Sequence, residues 1–307
     1  MLYDLNISWS PATTQDKLLQ TLATAASLGY GTVALNHILE LPFPATPVAP
    51  FPSLPSSSSS SSSSPSTKLP NILHRATLPL TDPAASNYRL QSLMNAYDLL
   101  AIRPVTEQAF QNACLTMDIP IISLDLTQHF PFHFRPKPCM AAVNRGVRFE
   151  VCYAQALGAD PRGRSNFISN FTSLCRATRG RGIILSSEAK GPLGLRAPAD
   201  AVNLLSVWGL ANEKGMEGLR AVPRSIVVNE GVKRNGFRGI VDIVKTAEKP
   251  AIGKDEAESR GDTPMSDQSG KGKQKRKPGE DEGQQLSRRQ VKKMKLAART
   301  SGAPKTN

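Results

Sequence analysis

Residues 1–10 read MLYDLNISWS, and inside them Tyr3-Asp4-Leu5-Asn6-Ile7 is a short apolar run carrying two polar side chains two positions apart. The run has the composition of a buried first strand. In a strand, residues i and i+2 share a face, so Asp4 and Asn6 are expected to point together at its C-terminal end. The alternation that decides the fold begins here. Leu18, Leu19, Leu22, Ala25 and Ala26 form a helical stripe within 13–28 that closes on Gly29, and TVALN (32–36) reads as a second buried strand.

The same alternation continues along the chain. Strands are expected at 71–80, 97–102, 120–126, 147–153, 182–187 and 225–228, with helices at 84–94, from Pro104, at 140–144, 160–178 and 199–210. Asp160 followed by Pro161 is a helix-start signal. Eight strands alternating with helices over about 240 residues predict an α/β domain of the (β/α)8 TIM-barrel type. Two segments break the pattern. Residues 41–70 hold nine consecutive serines between prolines, a Pro/Ser-rich low-complexity insertion in a strand-to-helix loop. Residues 241–307 turn to Lys, Glu, Asp, Ser, Gly and Gln, which predicts a disordered basic tail after a barrel domain at 1–240.

Charge narrows the partner. The 307 residues carry a net charge of +13, with 22 basic against 15 acidic side chains in 1–240. The barrel is therefore basic in its own right, which favours nucleic acid over a membrane. No run approaches 18 apolar residues, and no basic stretch followed by an apolar one opens the chain, so neither a membrane span nor a secretory signal is expected. Cys114, Cys139, Cys152 and Cys175 show no metal-type spacing and read as buried thiols. KGKQKRKP (271–278) and SRRQVKKMK (287–295) have the look of a bipartite nuclear-import signal or a nucleic-acid-binding arm.

In a barrel, function sits at the C-terminal strand ends. Reading those ends gives Asp4 and Asn6, Asn36 and His37, Arg103, Asp125, Glu150 or Tyr153, Ser187 and Glu188, and Asn229 and Glu230. A metal-dependent phosphoesterase or nuclease on Asp4, Asn6, His37, Asp125 and Glu188 is one alternative. Four histidines in the whole chain are few for such a cage, and no nucleophile elbow or phosphate loop appears. The positive signal is basic: Arg162, Arg164, Arg176, Arg179 and Arg181 fall within twenty residues, with Lys190 and Arg196 just beyond. Together with Arg103 they are the candidate RNA-binding residues, a phosphate-contacting strip. Aromatics are scarce among them, so recognition of RNA shape and backbone is expected rather than base stacking. A third reading is a scaffold that touches only proteins.

Several segments resemble one family in order: DLN, LGYGTVALNHI (28–38), NAYDLLAIRPVTEQAF (95–110), IISLDLTQHFPFHF (121–134), AVNRGVRFEVCY (142–153), RSNFISN (164–170), RGRGIILSSEA (179–189) and LRAPADAVNLLSVWGL (195–210). They are similar to the thirty-kilodalton, TIM-barrel-like subunit of ribonuclease P and ribonuclease MRP, fungal type. The resemblance implies a barrel akin to the polymerase-and-histidinol-phosphatase enzymes, whose strand-one His-x-His metal pair is here Asp4-Leu5-Asn6. It implies an RNA-binding, non-catalytic subunit of a ribonucleoprotein endoribonuclease, supporting tRNA 5′-leader removal and rRNA processing. Catalytic residues and metal ligands in this chain would be none, and magnesium would be held by the RNA subunit. The implied partners are the ribonuclease P/MRP RNA, pre-tRNA and other protein subunits, among them a small α/β protein, and the implied location is the nucleus, in the nucleolus.

Overall fold

The computed structural model describes residues 1–39, 47–52, 69–81, 90–237 and 241–242. Strands β1 (Leu2–Trp9), β2 (Tyr30–Ile38), β3 (Asn71–Leu80), β4 (Leu99–Pro104), β5 (Ile121–Ser123), β6 (Arg148–Cys152) and β7 (Ile183–Ser186) form one sheet in chain order. Every neighbouring pair is parallel. Helices α1 (Gln15–Ser27), α2 (Leu90–Ala96), α3 (Glu107–Leu115), α4 (Pro136–Arg145), α5 (Tyr153–Gly158), α6 (Pro161–Thr178), α7 (Pro198–Val207), α8 (Asn212–Leu219) and α9 (Ala221–Asn235) connect and follow them. The result is a nearly closed TIM-barrel-like domain.

The barrel closes without an eighth strand among the described residues. Just past β7 the chain meets β1: Glu188 N–H donates to the Asn6 carbonyl at 2.7 Å, and Ser8 N–H to the Ala189 carbonyl at 3.1 Å. Residues 225–228, expected as strand eight, lie inside α9. Ser225-Ile226-Val227-Val228 has strand-like composition, but tertiary packing overrides so weak a preference. Ile226 is buried against Tyr3, Leu5, Leu99, Ala101, Ile121 and Ile184, so α9 stoppers the N-terminal end of the barrel. Its last turn is pinned there by Arg234 to Asp98 at 2.5 Å and Lys233 to Asp118 at 3.3 Å.

Local signals shaped the helices. Leu18, Leu22 and Ala25 turn one face of α1 to the core, and Gly29 ends it at φ +92°. Asp160 caps α6 by accepting from Gly163 N–H at 2.9 Å, with Pro161 in the first turn. Of the Pro/Ser-rich insertion, residues 47–52 and 69–70 are described; there Phe51 stacks on His74 (4.5 Å between ring centres) and tilts against Trp9 (4.8 Å). The serine run, the start of the helix expected at 84–94 and the tail from residue 243 on, with both basic clusters, lie outside the described residues.

Helix α8 lies unusually close to β7. A Cβ on Gly218 would stand 2.8 Å from the Ile183 carbonyl oxygen, a fixed backbone atom. The clash in Gly218→Ala should cost about 1–3 kcal/mol against the roughly 1 kcal/mol that alanine gains in a helix, a net loss of up to about 2 kcal/mol. Chemical denaturation reads the difference; greater stability would refute the close approach.

Candidate functional site

The barrel interior is polar and filled. Arg75 and Glu150, both fully buried, form a bidentate pair at 2.5 and 2.6 Å. Arg75 also donates to the Leu5 carbonyl at 2.6 Å. A chain of amides completes the set: Thr77 hydroxyl to Asn36 Oδ1 (2.7 Å), Asn36 Nδ2 to Asn6 Oδ1 (2.9 Å), Asn6 Nδ2 to Glu150 Oε2 (3.2 Å). Burial alone would push the Glu150 carboxyl up, but the charge and hydrogen bonds of Arg75 outweigh it and hold the group down at about 2.

Asp4 and Asn6 do not share a face. Between Asp4, which pairs with Val33, and Ile7, which pairs with Leu35, β1 contains one residue more than β2. This bulge turns Asn6 into the barrel and leaves Asp4 at the β1–β7 seam, where its Oδ1 accepts from Ser187 N–H at 3.0 Å and Asn6 N–H at 3.2 Å. Asp4 thus ties the barrel shut. His37 lies on the outer face, its Nδ1 3.2 Å from the Tyr97 hydroxyl and its ring near Trp9. Asp125 caps its own loop, accepting from Thr127 and Gln128.

The five groups of the hydrolase alternative therefore do not converge. Asn6 is interior, Asp4 at the seam, His37 outside, and only Asp125 and Glu188 share a cleft. Among the described residues no three His, Cys, Asp or Glu side chains could hold a metal ion together. The interior carboxylate is already neutralised by a guanidinium, and burial pushes the neighbouring Cys152 thiol well up, keeping it protonated. These donors do not fit a metal cage.

Burial drives the Asp4 carboxyl up from 3.8 to about 6 despite its hydrogen bonds. The folded state then binds a proton more tightly than the unfolded chain, so this group's contribution falls as pH rises from 3.8 through 6, by about 3 kcal/mol. Glu150 acts oppositely, its contribution being lost as pH falls from 4.5 toward 2. The wild type should therefore gain stability between pH 6.5 and 4.5, and Asp4→Asn should flatten that slope. Denaturation midpoints across this window check it; an unchanged slope in the variant would refute the assignment.

At the C-terminal mouth a cleft of about 680 Å³ is lined by Arg103, Asp125, Gln155, Glu188, Lys190 and Arg196 among others. Glu188 stands at φ +55°, an unusual setting for a side-chain-bearing residue. It is held there by Arg103 at 2.7 Å and Gln155 at 2.6 Å. Arg103 also reaches Ser123 at 3.2 Å, so its head is engaged inside the mouth.

The arginines expected as one strip form two groups at opposite ends of α6. Arg162 and Arg164 sit in its first turn; Arg176, Arg179 and Arg181 sit at its far end. At 1.5 Å per residue, Arg162 and Arg179 are about 25 Å apart along the helix axis. Arg164 bonds the Ala156 and Ala159 carbonyls, and Arg196 those of Leu193 and Leu195. By contrast, Arg162, Arg176, Arg179, Arg181 and Lys190 are exposed and make no side-chain hydrogen bond or ion pair among the described residues.

Two features escaped the sequence reading. Arg75 sits mid-strand in NILHRATLPL, where a lone arginine in an apolar run signals a buried charge needing a partner. Trp208, from the end of α7, lies beside Arg176 and Arg179, so an aromatic does join the basic group.

The chain is 32% identical over 243 residues to "Probable ribonuclease P protein subunit 3" of Schizosaccharomyces pombe, covering 79% of this chain and 99% of that one. It is 32% identical over 237 residues to the ribonuclease P protein subunit p30 of Mus musculus, covering 76% and 87%. It is 27% identical over 248 residues to the ribonuclease P/MRP protein subunit RPP1 of Saccharomyces cerevisiae, covering 78% and 83%. A chain in the cryo-EM structure of an archaeal ribonuclease P with mature tRNA shares the fold, with a TM-score of 0.56, 13% identity, and coverage of 80% of this chain and 100% of that one. The family model for RNase P subunit p30 matches residues 1–235, from the first strand through the helix that stoppers the barrel, and the chain belongs to that family.

Proposed function

We propose that this protein is an RNA-binding subunit of the ribonuclease P and MRP particles, supporting tRNA 5′-leader removal and rRNA processing without carrying catalytic groups. The observation that carries the reading is family membership across residues 1–235. The basic charge of the domain and five cationic heads on and near α6, unpaired among the described residues, support an RNA partner. A barrel interior closed by Arg75 and Glu150 suits a structural role, with magnesium held by the RNA. Pre-tRNA and other subunits, a small α/β protein among them, are the further partners. The basic clusters at 271–278 and 287–295 support import into the nucleus, and the MRP role an address in the nucleolus. No helix among the described residues is long and apolar enough to cross a membrane.

The test is purification of the tagged full-length chain from its own cells, with sequencing of the bound RNA. Recovery of the ribonuclease P and MRP RNAs is expected. A preparation containing neither, or purified protein whose metal-dependent nuclease activity vanishes in Asp4→Ala, would overturn the proposal.

A further inference from the structure

Where α6 ends, three segments meet around a small cavity. Trp208 closes α7, and its ring leans edge-on against Phe167 (5.6 Å, 66°) and Phe171 (6.4 Å, 73°). The same half-buried indole helps line a cavity of about 320 Å³ with Thr172, Arg176, Arg179, Gly180 and Lys214. Arg179 and Gly180 both have positive φ (54° and 66°), as does Gly209 (105°), so two tight turns converge on the opening. Arg176 and Arg179 are exposed and unpaired among the described residues, while Lys214 is shared with Glu217 at 2.8 Å.

We propose that this pocket takes one unpaired nucleotide of RNA, its base against Trp208 and its flanking phosphates on Arg176 and Arg179. The inference rests on the RNA-binding reading above and names what part of an RNA this end of the barrel holds. Three cations with one nearby carboxylate select an anion. The indole supplies a surface any base can stack on, and aromatic rings combined with arginine are the common means of gripping single-stranded RNA. A paired base has both faces covered by its neighbours, so a duplex would touch the arginines yet leave the cavity empty. The rigid Phe167–Phe171 backing fixes the indole before the base arrives, which keeps the ordering cost of binding low.

Trp208 can be made the only tryptophan of the full-length chain by Trp9→Phe. Titrated with single-stranded decauridylate at low salt, that protein should lose Trp208 fluorescence; a ten-base-pair RNA duplex should bind without quenching it. Trp208→Leu should weaken single-strand binding at least about 5-fold and leave duplex binding unchanged, while Trp208→Phe retains most of the affinity. Arg176→Gln with Arg179→Gln should weaken both RNAs and flatten their salt dependence. Wild-type single-strand affinity in folded Trp208→Leu, or equal quenching by the duplex, overturns the pocket and leaves the RNA-binding subunit intact. Quenching by hexaglutamate as strong as by RNA would make it a dock for an acidic protein segment instead, also overturning it. Absence of binding to either RNA would overturn the RNA-binding reading itself, and the pocket with it.

Discussion

Arg75→Met is expected to cost about 3–5 kcal/mol at pH 7, the usual penalty for stranding one half of a buried ion pair. Against a typical domain stability of about 5–15 kcal/mol, that is a fifth or more of the total, and about 6–20 °C in Tm at this size. The loss arises because Glu150 keeps only Asn6 and nearby hydroxyls as donors inside a sealed barrel. Without the guanidinium, burial pushes the Glu150 carboxyl upward. The variant should then recover part of its deficit on acidification, whereas the wild type loses the pair's contribution as pH falls from 4.5 toward 2. Urea denaturation at pH 7, pH 5 and pH 3 reads both effects. Adding Glu150→Leu should restore much of the stability, since a well-packed apolar pair often matches a buried ionic one. Wild-type stability for Arg75→Met at pH 7 would show that the pair contributes nothing. RNA affinity of the folded variant should not change, because the pair lies wholly inside the barrel.

The second large effect concerns RNA. Replacing Arg176, Arg179 and Arg181 together by glutamine should flatten the slope of log K against log salt by about 2 to 3 and weaken binding about 100-fold at physiological salt. Replacing Arg162 and Lys190 at the other end should give a smaller, separate loss. With the groups about 25 Å apart along α6, the two sets should combine additively in free energy. Filter binding over a salt series measures this. An unchanged slope in the first variant would remove the far end of α6 from the RNA interface, and strong non-additivity would mean that the two ends do not act as separate contacts.

How much of the molecule was legible in advance depends on the range of each interaction. Asp160–Pro161 and Gly29 marked helix ends correctly because capping is settled within a few residues. The parallel strands of the barrel were readable because buried strands are continuous apolar runs. Ser225–Val228 misled because its role is set by the floor it covers, built by residues from Tyr3 to Ile184. The bulge in β1 is likewise set by closure against Ser187, so the two-residue spacing of Asp4 and Asn6 gave the wrong face for one of them. The basic residues were visible as a sequence cluster, yet an 18-residue helix divides them, and the fold brings Trp208 from another helix to one half alone.

The position of the stopper has a consequence for how the protein is made. Tyr3 and Leu5 leave the ribosome more than 220 residues ahead of Ile226, which covers them. At about 5–20 residues per second, the interval is on the order of ten to forty seconds. As the strands accumulate, from Tyr3 to Ile184, their apolar floor stays uncovered until Ile226 arrives. Such exposed apolar surface is prone to aggregation, so truncating the chain before α9 is expected to lower its soluble yield.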